Sequence, residues 1–145
     1  MSDTDDVTRS LREAGLRVTR PRLAVLSALE SQPHATADDV GRRLRDHGST
    51  AEISVQAVYD VLAALHRVGL VRRFQPAGSP ARYELRVADN HHHLVCRSCG
   101  EVADVDCAVG EVPCLDPGQP ATSSGFVVDE AEVTYWGTCA ACARA

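Results

Sequence analysis

The sequence predicts an α+β chain in two parts, a winged helix-turn-helix followed by a small α/β domain built around a four-cysteine zinc site. Three observations predict it. Residues 7–69 carry apolar positions at helical spacing, broken by cap and stop residues. Leu70–Gln75 and Arg82–Leu85 then read as two strands, joined by the turn-rich Pro76-Ala77-Gly78-Ser79-Pro80. Finally, Cys-x-x-Cys occurs twice, at Cys96/Cys99 and at Cys139/Cys142. That spacing lets two thiolates from one turn hold one tetrahedral ion. One pair alone would equally fit a thioredoxin-type redox motif. Two pairs, with no βαβ pattern around either, favour zinc over a redox motif or a disulfide pair.

The chain has 145 residues, enough for one ordinary domain or two small ones. All 15 basic residues are arginine, and the net charge is -5. That figure hides an asymmetry. Residues 1–85 hold 12 Arg against 11 Asp and Glu, whereas residues 86–145 hold 3 Arg against 9. Asp3, Asp5 and Asp6 are expected in an N-terminal tail, and without them the first part is clearly basic. Its sign suits an anionic partner. No apolar run is long enough to cross a membrane, and the acidic N-terminus does not resemble a signal peptide, so a cytoplasmic protein is expected. In a reducing cytosol, paired cysteines point to metal or redox chemistry before structural disulfides.

Val7, Leu11 and Ala14 have helical spacing, and Gly15 stops that helix. Thr19 caps a second helix with Pro21 in its first turn, where the missing N–H costs nothing. Val25, Leu26 and Leu29 give it an apolar face. Gln32-Pro33-His34-Ala35 is a connector. Thr36 caps a third helix, with Asp39 placed for a capping-box pair, Val40 and Leu44 facing inward, and Gly48 at its end. Ser54 opens a fourth helix. Val55, Val58, Leu62 and Leu65 form its expected apolar stripe, and Gly69 ends it. Gln56, Tyr59, Asp60 and Ala63 fall on the other side. Gln reads adenine and an aromatic ring packs on a thymine methyl, so this face suits base edges, although an ordinary solvated face has the same pattern. Arg72, Arg73 and Arg82 decorate the hairpin. Such a wing, with Arg17, Arg20 and Arg22 near a helix start, would hold phosphates.

The domains expected are residues 1–86, a hinge at 87–90, and residues 91–145. In the last part Leu94–Cys96, Val102–Asp106 and Phe126–Trp136 read as strands. Val109–Ser124, rich in Pro, Gly and Ser, shows little helical signal. A domain of this size has too small a core to be comfortable alone, and zinc or a second copy would answer that. His91-His92-His93 runs straight into the first cysteine pair. On a strand His91 and His93 share a face while His92 points away. His47 and His66 read as helix-surface residues, Cys107 as a small core residue and Cys114 as a loop thiol. The alternative for those two thiols is a disulfide switch.

The winged helix, the His-rich run into Cys-x-x-Cys-Gly, and the terminal Cys-x-x-Cys resemble the ferric uptake regulator family of metal-dependent repressors. Val18-Thr19-Arg20-Pro21-Arg22, Gln56-Ala57-Val58-Tyr59-Asp60 and Asn90–Gly100 look most like its actinobacterial FurA-type branch. That branch is associated with catalase-peroxidase genes and the response to peroxide. The resemblance implies a homodimer that binds double-stranded DNA at an AT-rich inverted repeat, with an α/β dimerisation domain after the winged helix. It implies structural Zn2+ on Cys96, Cys99, Cys139 and Cys142. It also implies a regulatory metal, Fe2+ or Mn2+, on His34, Glu84, His91, His93 and Asp104. Imidazoles with carboxylates suit those ions better than a thiolate site does. DNA contacts are expected from Arg17, Arg20, Arg22, Ser54, Gln56, Tyr59, Arg72 and Arg73.

Two departures from the family stand out. A further metal site of some members falls on Asn90, His92, Glu111 and Ala131, where only His92 and Glu111 are plausible ligands. The long helix usual in the dimerisation domain is shortened or irregular at Val109–Ser124. Asp104 is typical of peroxide sensors and Glu84 of iron sensors. The branch resemblance tips the reading to peroxide, with His34 and His91 as the oxidation candidates. An iron-responsive repressor of iron uptake genes and a thiol switch through Cys107 and Cys114 are the alternatives. An enzyme would need a nucleophile or general-base set beside the ligands, and none is seen. A protein-binding zinc ribbon would leave the arginine-rich wing and the Gln56/Tyr59 face without a purpose.

Overall fold

Helix caps set the local structure of the first half. The computed structural model describes residues 4–48, 53–109 and 114–145, apart from the side chains of 120–122. It divides into two compact units, Met1–Ala88 and Asp89–Ala145. Helix α1 spans Thr4–Glu13 and α2 spans Arg20–Ser31. Asp5 and Asp6 sit in the first turn of α1, not in a tail, where carboxylates favour the positive end of the helix dipole. Asp3 lies outside the described residues. The Thr19 hydroxyl accepts the Arg22 N–H at 3.4 Å, opening α2. Strand β1, Ala35–Thr36, leads directly into α3, Ala37–Asp46. Thr36 and Asp39 close a full capping box. The Asp39 N–H reaches the Thr36 hydroxyl at 3.1 Å, and the Thr36 N–H reaches the Asp39 carboxylate at 3.0 Å.

Helix α4, Val55–Arg67, is capped by Ser54, whose hydroxyl accepts the Ala57 N–H at 3.1 Å. Val58, Leu62 and Leu65 are fully buried with Leu11, Val25, Leu29, Val40 and Val71. Val55 is not part of that stripe and is 55% exposed. It occupies the first helical position at the edge of the apolar arc, where it is not covered. Replacing a residue such as Leu62 by Ala here costs about 2–5 kcal/mol.

Strands β2, Arg72–Phe74, and β3, Arg82–Glu84, form the wing hairpin. β1 adds to it, giving the sheet order β1-β3-β2, all antiparallel. The sequence reading took residues 32–35 as a plain connector and missed β1. Two residues carry no detectable period, and the pairing is supplied by β3, through Ala35↔Tyr83 and Thr36↔Arg82.

The second unit is a sheet of order β5-β4-β6, with β4 at His91–Cys96, β5 at Val102–Asp106 and β6 at Thr134–Gly137. β5 runs antiparallel to β4 and β6 runs parallel to it. The third strand is thus confined to the end of the Phe126–Trp136 segment. Phe126 and Val127 are 74% and 93% exposed and, among the described residues, pair with no strand. A short helix α5, Gly118–Ser123, lies in the stretch read as having little helical signal, and α6 is Ala140–Ala143. Residues 110–113 of that stretch lie outside the described residues. No described helix is long and apolar enough to cross a membrane.

Candidate metal centres and nucleic-acid interface

The parallel β4–β6 register aligns Cys96 with Gly137. Two residues later Cys139 opens α6, so the two cysteine pairs arrive at one end of the sheet. The first pair lies on a tight turn. The Gly100 N–H donates to the Cys96 carbonyl at 3.0 Å, with Gly100 at φ 77, a left-handed backbone that favours glycine. Sulfurs of Cys96, Cys99, Cys139 and Cys142 all lie within 4.8 Å of one another, and none is in a disulfide. Cys99 and Cys139 are 3.7 Å apart. Tetrahedral zinc with Zn–S bonds of about 2.3 Å needs sulfurs roughly 3.8 Å apart, so the four fit it. The Cys139 backbone N–H points at the Cys96 sulfur at 3.3 Å. That bond, with others from Cys99 and Ser98, holds the Cys96 thiol down at about 6. Sharing protons with Cys139 and Cys99 pushes Cys142 up to about 12. The first thiolate forms easily and the last resists, because four sulfurs crowd one point. A bound dication would let all four sulfurs be thiolates together.

The hard donors divide between the units. In the first, His34 Nε2 lies 3.1 Å from Glu84 Oε2, and its ring meets Phe74 edge-on at 5.8 Å. Glu84 is 1% exposed, and a buried carboxylate needs charged or hydrogen-bonding company. The Arg72 Nε supplies more of it at 3.8 Å from Glu84 Oε1. His34 itself is held at φ 63, a strained backbone for a residue with a Cβ. In the second unit, register places His93 opposite Asp104 and His91 opposite Asp106. Asp104 Oδ1 lies 3.6 Å from His91 Nε2 and 3.5 Å from His93 Nε2, with the two rings 5.0 Å apart. His91 Nδ1 is 2.7 Å from Asp89 Oδ1. That bond orients the ring and leaves Nε2 facing Asp104, as outer partners of ligand histidines do. Sequence reasoning missed Asp89. Its signal was an acid two residues before a histidine, hidden by its place in a polar hinge.

Among the expected DNA contacts, Arg17 and Arg20 are exposed, and Arg22 is partly buried with its guanidinium on the Arg17 carbonyl at 2.6 Å. Gln56 and Tyr59 are exposed, Tyr59 by 46%. The Gln56 amide donates to Asp60 at 2.9 Å. Ser54 caps α4, so its hydroxyl is committed locally. Arg72 is corrected. Its side chain is only 16% exposed and turns to Glu84, because strand alternation sends neighbouring residues to opposite faces. Arg73 takes the outer face and reaches Gln75 at 3.0 Å. Arg82 also turns inward, donating to the His34 carbonyl at 3.0 Å.

The model of the Ferric uptake regulator family matches residues 13–112. The chain belongs to that family. The transcriptional regulator FurA of Mycobacterium tuberculosis is 56% identical over 142 residues, covering 98% of this chain and 93% of its own. The ferric uptake regulator of Vibrio cholerae, described for a rearrangement of its DNA-binding domains, superposes with a TM-score of 0.69 at 32% identity, over 91% of this chain and 98% of its own. That of Pseudomonas aeruginosa, solved with manganese, gives 0.65 at 29%, over 92% and 98%. The fold is that of these regulators, and the chain is a metal-responsive transcriptional regulator, not an enzyme. Of the family's further metal site, Glu111 lies outside the described residues.

Proposed function

We propose that the chain is a homodimeric, metal-dependent repressor that releases an AT-rich inverted repeat when peroxide oxidises a histidine ligand, in control of catalase-peroxidase and its own gene. The observation that carries the metal dependence is the division of hard donors. His34 and Glu84 belong to the winged unit, and His91, His93 and Asp104 to the other. An ion holding all five would fix both recognition helices of a dimer one groove-turn apart. Fe(II), when bound, supplies the electron that activates peroxide, whereas Mn(II) does not readily do so. His34 and His91 are the rings proposed for oxidation, since a modified imidazole is a poorer ligand. Asp89 keeps the His91 Nε2 lone pair available for the ion. Arg17, Arg20 and Arg73 hold phosphates, while Gln56 and Tyr59 read base edges. Zinc on the four cysteines keeps the second unit folded, and the protein acts in the cytoplasm.

The test is DNA affinity by fluorescence anisotropy, on Fe(II)- and Mn(II)-loaded protein before and after low peroxide. Loss of binding in the Fe(II) form alone is expected. Loss in both forms favours the thiols, a second reading supported by the closeness of Cys107 to Cys114 within 4.8 Å. Survival in both leaves an iron-responsive repressor of iron uptake genes.

A further inference from the structure

Strand alternation gives the second unit's sheet two chemically different faces. His91, His93 and Asp104 occupy one. His92 stands on the other, beside Cys107, which follows β5 opposite Asn90 and donates its backbone N–H to the Asn90 carbonyl at 3.1 Å. Cys114 returns to the same place. Its sulfur is 3.2 Å from His92 Nε2, and the ligand atoms of His92, Cys107 and Cys114 all lie within 4.8 Å of one another. The geometry points to a further metal site here, a His–Cys–Cys site for zinc or a similarly thiophilic dication, separate from the four-thiolate cluster and from the hard-donor set.

Two observations beyond proximity support it. The His92 ring is 4% exposed, yet its buried Nδ1 has no hydrogen-bond partner among the described residues, and its Nε2 meets only a thiol, a weak partner. An ion on Nε2 would replace that weak thiol contact with a coordinate bond. The donor set is also selective. Two soft sulfurs and one imidazole suit zinc, whereas carboxylate and imidazole suit iron or manganese. Tetrahedral zinc asks its ligands to stand roughly 3.6–3.8 Å apart, within about 1 Å of what is present. Three protein ligands leave the fourth position open, which makes this ion more exchangeable than one held by four thiolates.

Cobalt(II) is the probe, added anaerobically to reduced full-length protein that carries zinc on its four-cysteine cluster. One equivalent per protomer should give a thiolate-to-cobalt charge-transfer band with no release of zinc. The hard-donor set contains no sulfur and cannot give that band. It should be lost in Cys107→Ser and in Cys114→Ser, weakened in His92→Asn, and kept in His93→Ala. Circular dichroism of the variants checks that the fold survives, and zinc retention checks the cluster. The site is refuted if the wild type gives no band, if the band persists in both serine variants, or if it appears only as zinc is released. None of these outcomes depends on the regulatory ion or on DNA.

Discussion

Tyr59 and Arg73 show what single side chains contribute on the nucleic-acid side. Tyr59 is half exposed on α4 and lies outside the buried apolar cluster. Tyr59→Ala should therefore weaken specific DNA binding severalfold while changing stability by less than about 0.5 kcal/mol, as surface substitutions do. A large fall in melting temperature would show that the ring is buried. Arg73→Ala should reduce the slope of log affinity against log salt by about 1, the loss of one phosphate contact. Arg72→Ala should leave that slope unchanged and instead weaken metal-dependent DNA binding, because it strips a partner from buried Glu84. Comparing the two salt titrations decides it. The sequence showed both arginines as wing decoration. It could not separate them, because which face of a three-residue strand is buried depends on β1 pairing across β3. The four cysteines were legible because their chemistry lies in their spacing. The His92–Cys107–Cys114 group was not, since its members share no spacing and meet through strand register and the return of the chain at Cys114.

At the scale of elements, the caps were legible and the pairings less so. Thr19, Thr36 and Ser54 each open the helix that their position predicted, since a cap is a local hydrogen bond that neighbours on the chain complete. β1 and the start of β6 depend on partners distant in sequence, and periodicity misjudged both. The α3 capping box gives a pH-dependent prediction. Burial pushes Asp39 up, but hydrogen bonds from the Thr36 N–H and hydroxyl, with Arg42 and Arg82 nearby, outweigh it and hold the carboxyl below its usual range. A depressed folded value means stability present above the unfolded pKa, about 3.9, and lost as pH falls through the folded value. Asp39→Asn should cost about 1 kcal/mol at pH 7. The difference from wild type should shrink steadily below about pH 4. Urea denaturation at several pH values measures it, and a penalty constant down to the lowest pH would exclude the carboxylate's charge as its source.

At the scale of the whole chain, the two units hold themselves together differently. The first buries a continuous apolar cluster running from Leu11 to Tyr83. Among the described residues, the second buries only Val95 and Cys96 as apolar groups, beside three histidines. So small a core supplies at most a few kcal/mol. A structural zinc ion contributes about 10 kcal/mol or more at neutral pH, which exceeds it. The fold of the second unit should therefore depend on metal, and that of the first should not. The chain carries its own reporter, because Trp136, its single tryptophan, lies on β6 three residues before Cys139 opens the terminal cysteine pair. The longer helices, α1 to α4, all belong to the first unit. Stripping zinc with a strong chelator, or making Cys139→Ser, should shift Trp136 emission to that of a solvated indole. Helical circular dichroism should keep most of its amplitude and its own melting transition. Simultaneous collapse of both signals would mean that the winged unit cannot stand without its neighbour, and zinc would then act on the whole chain.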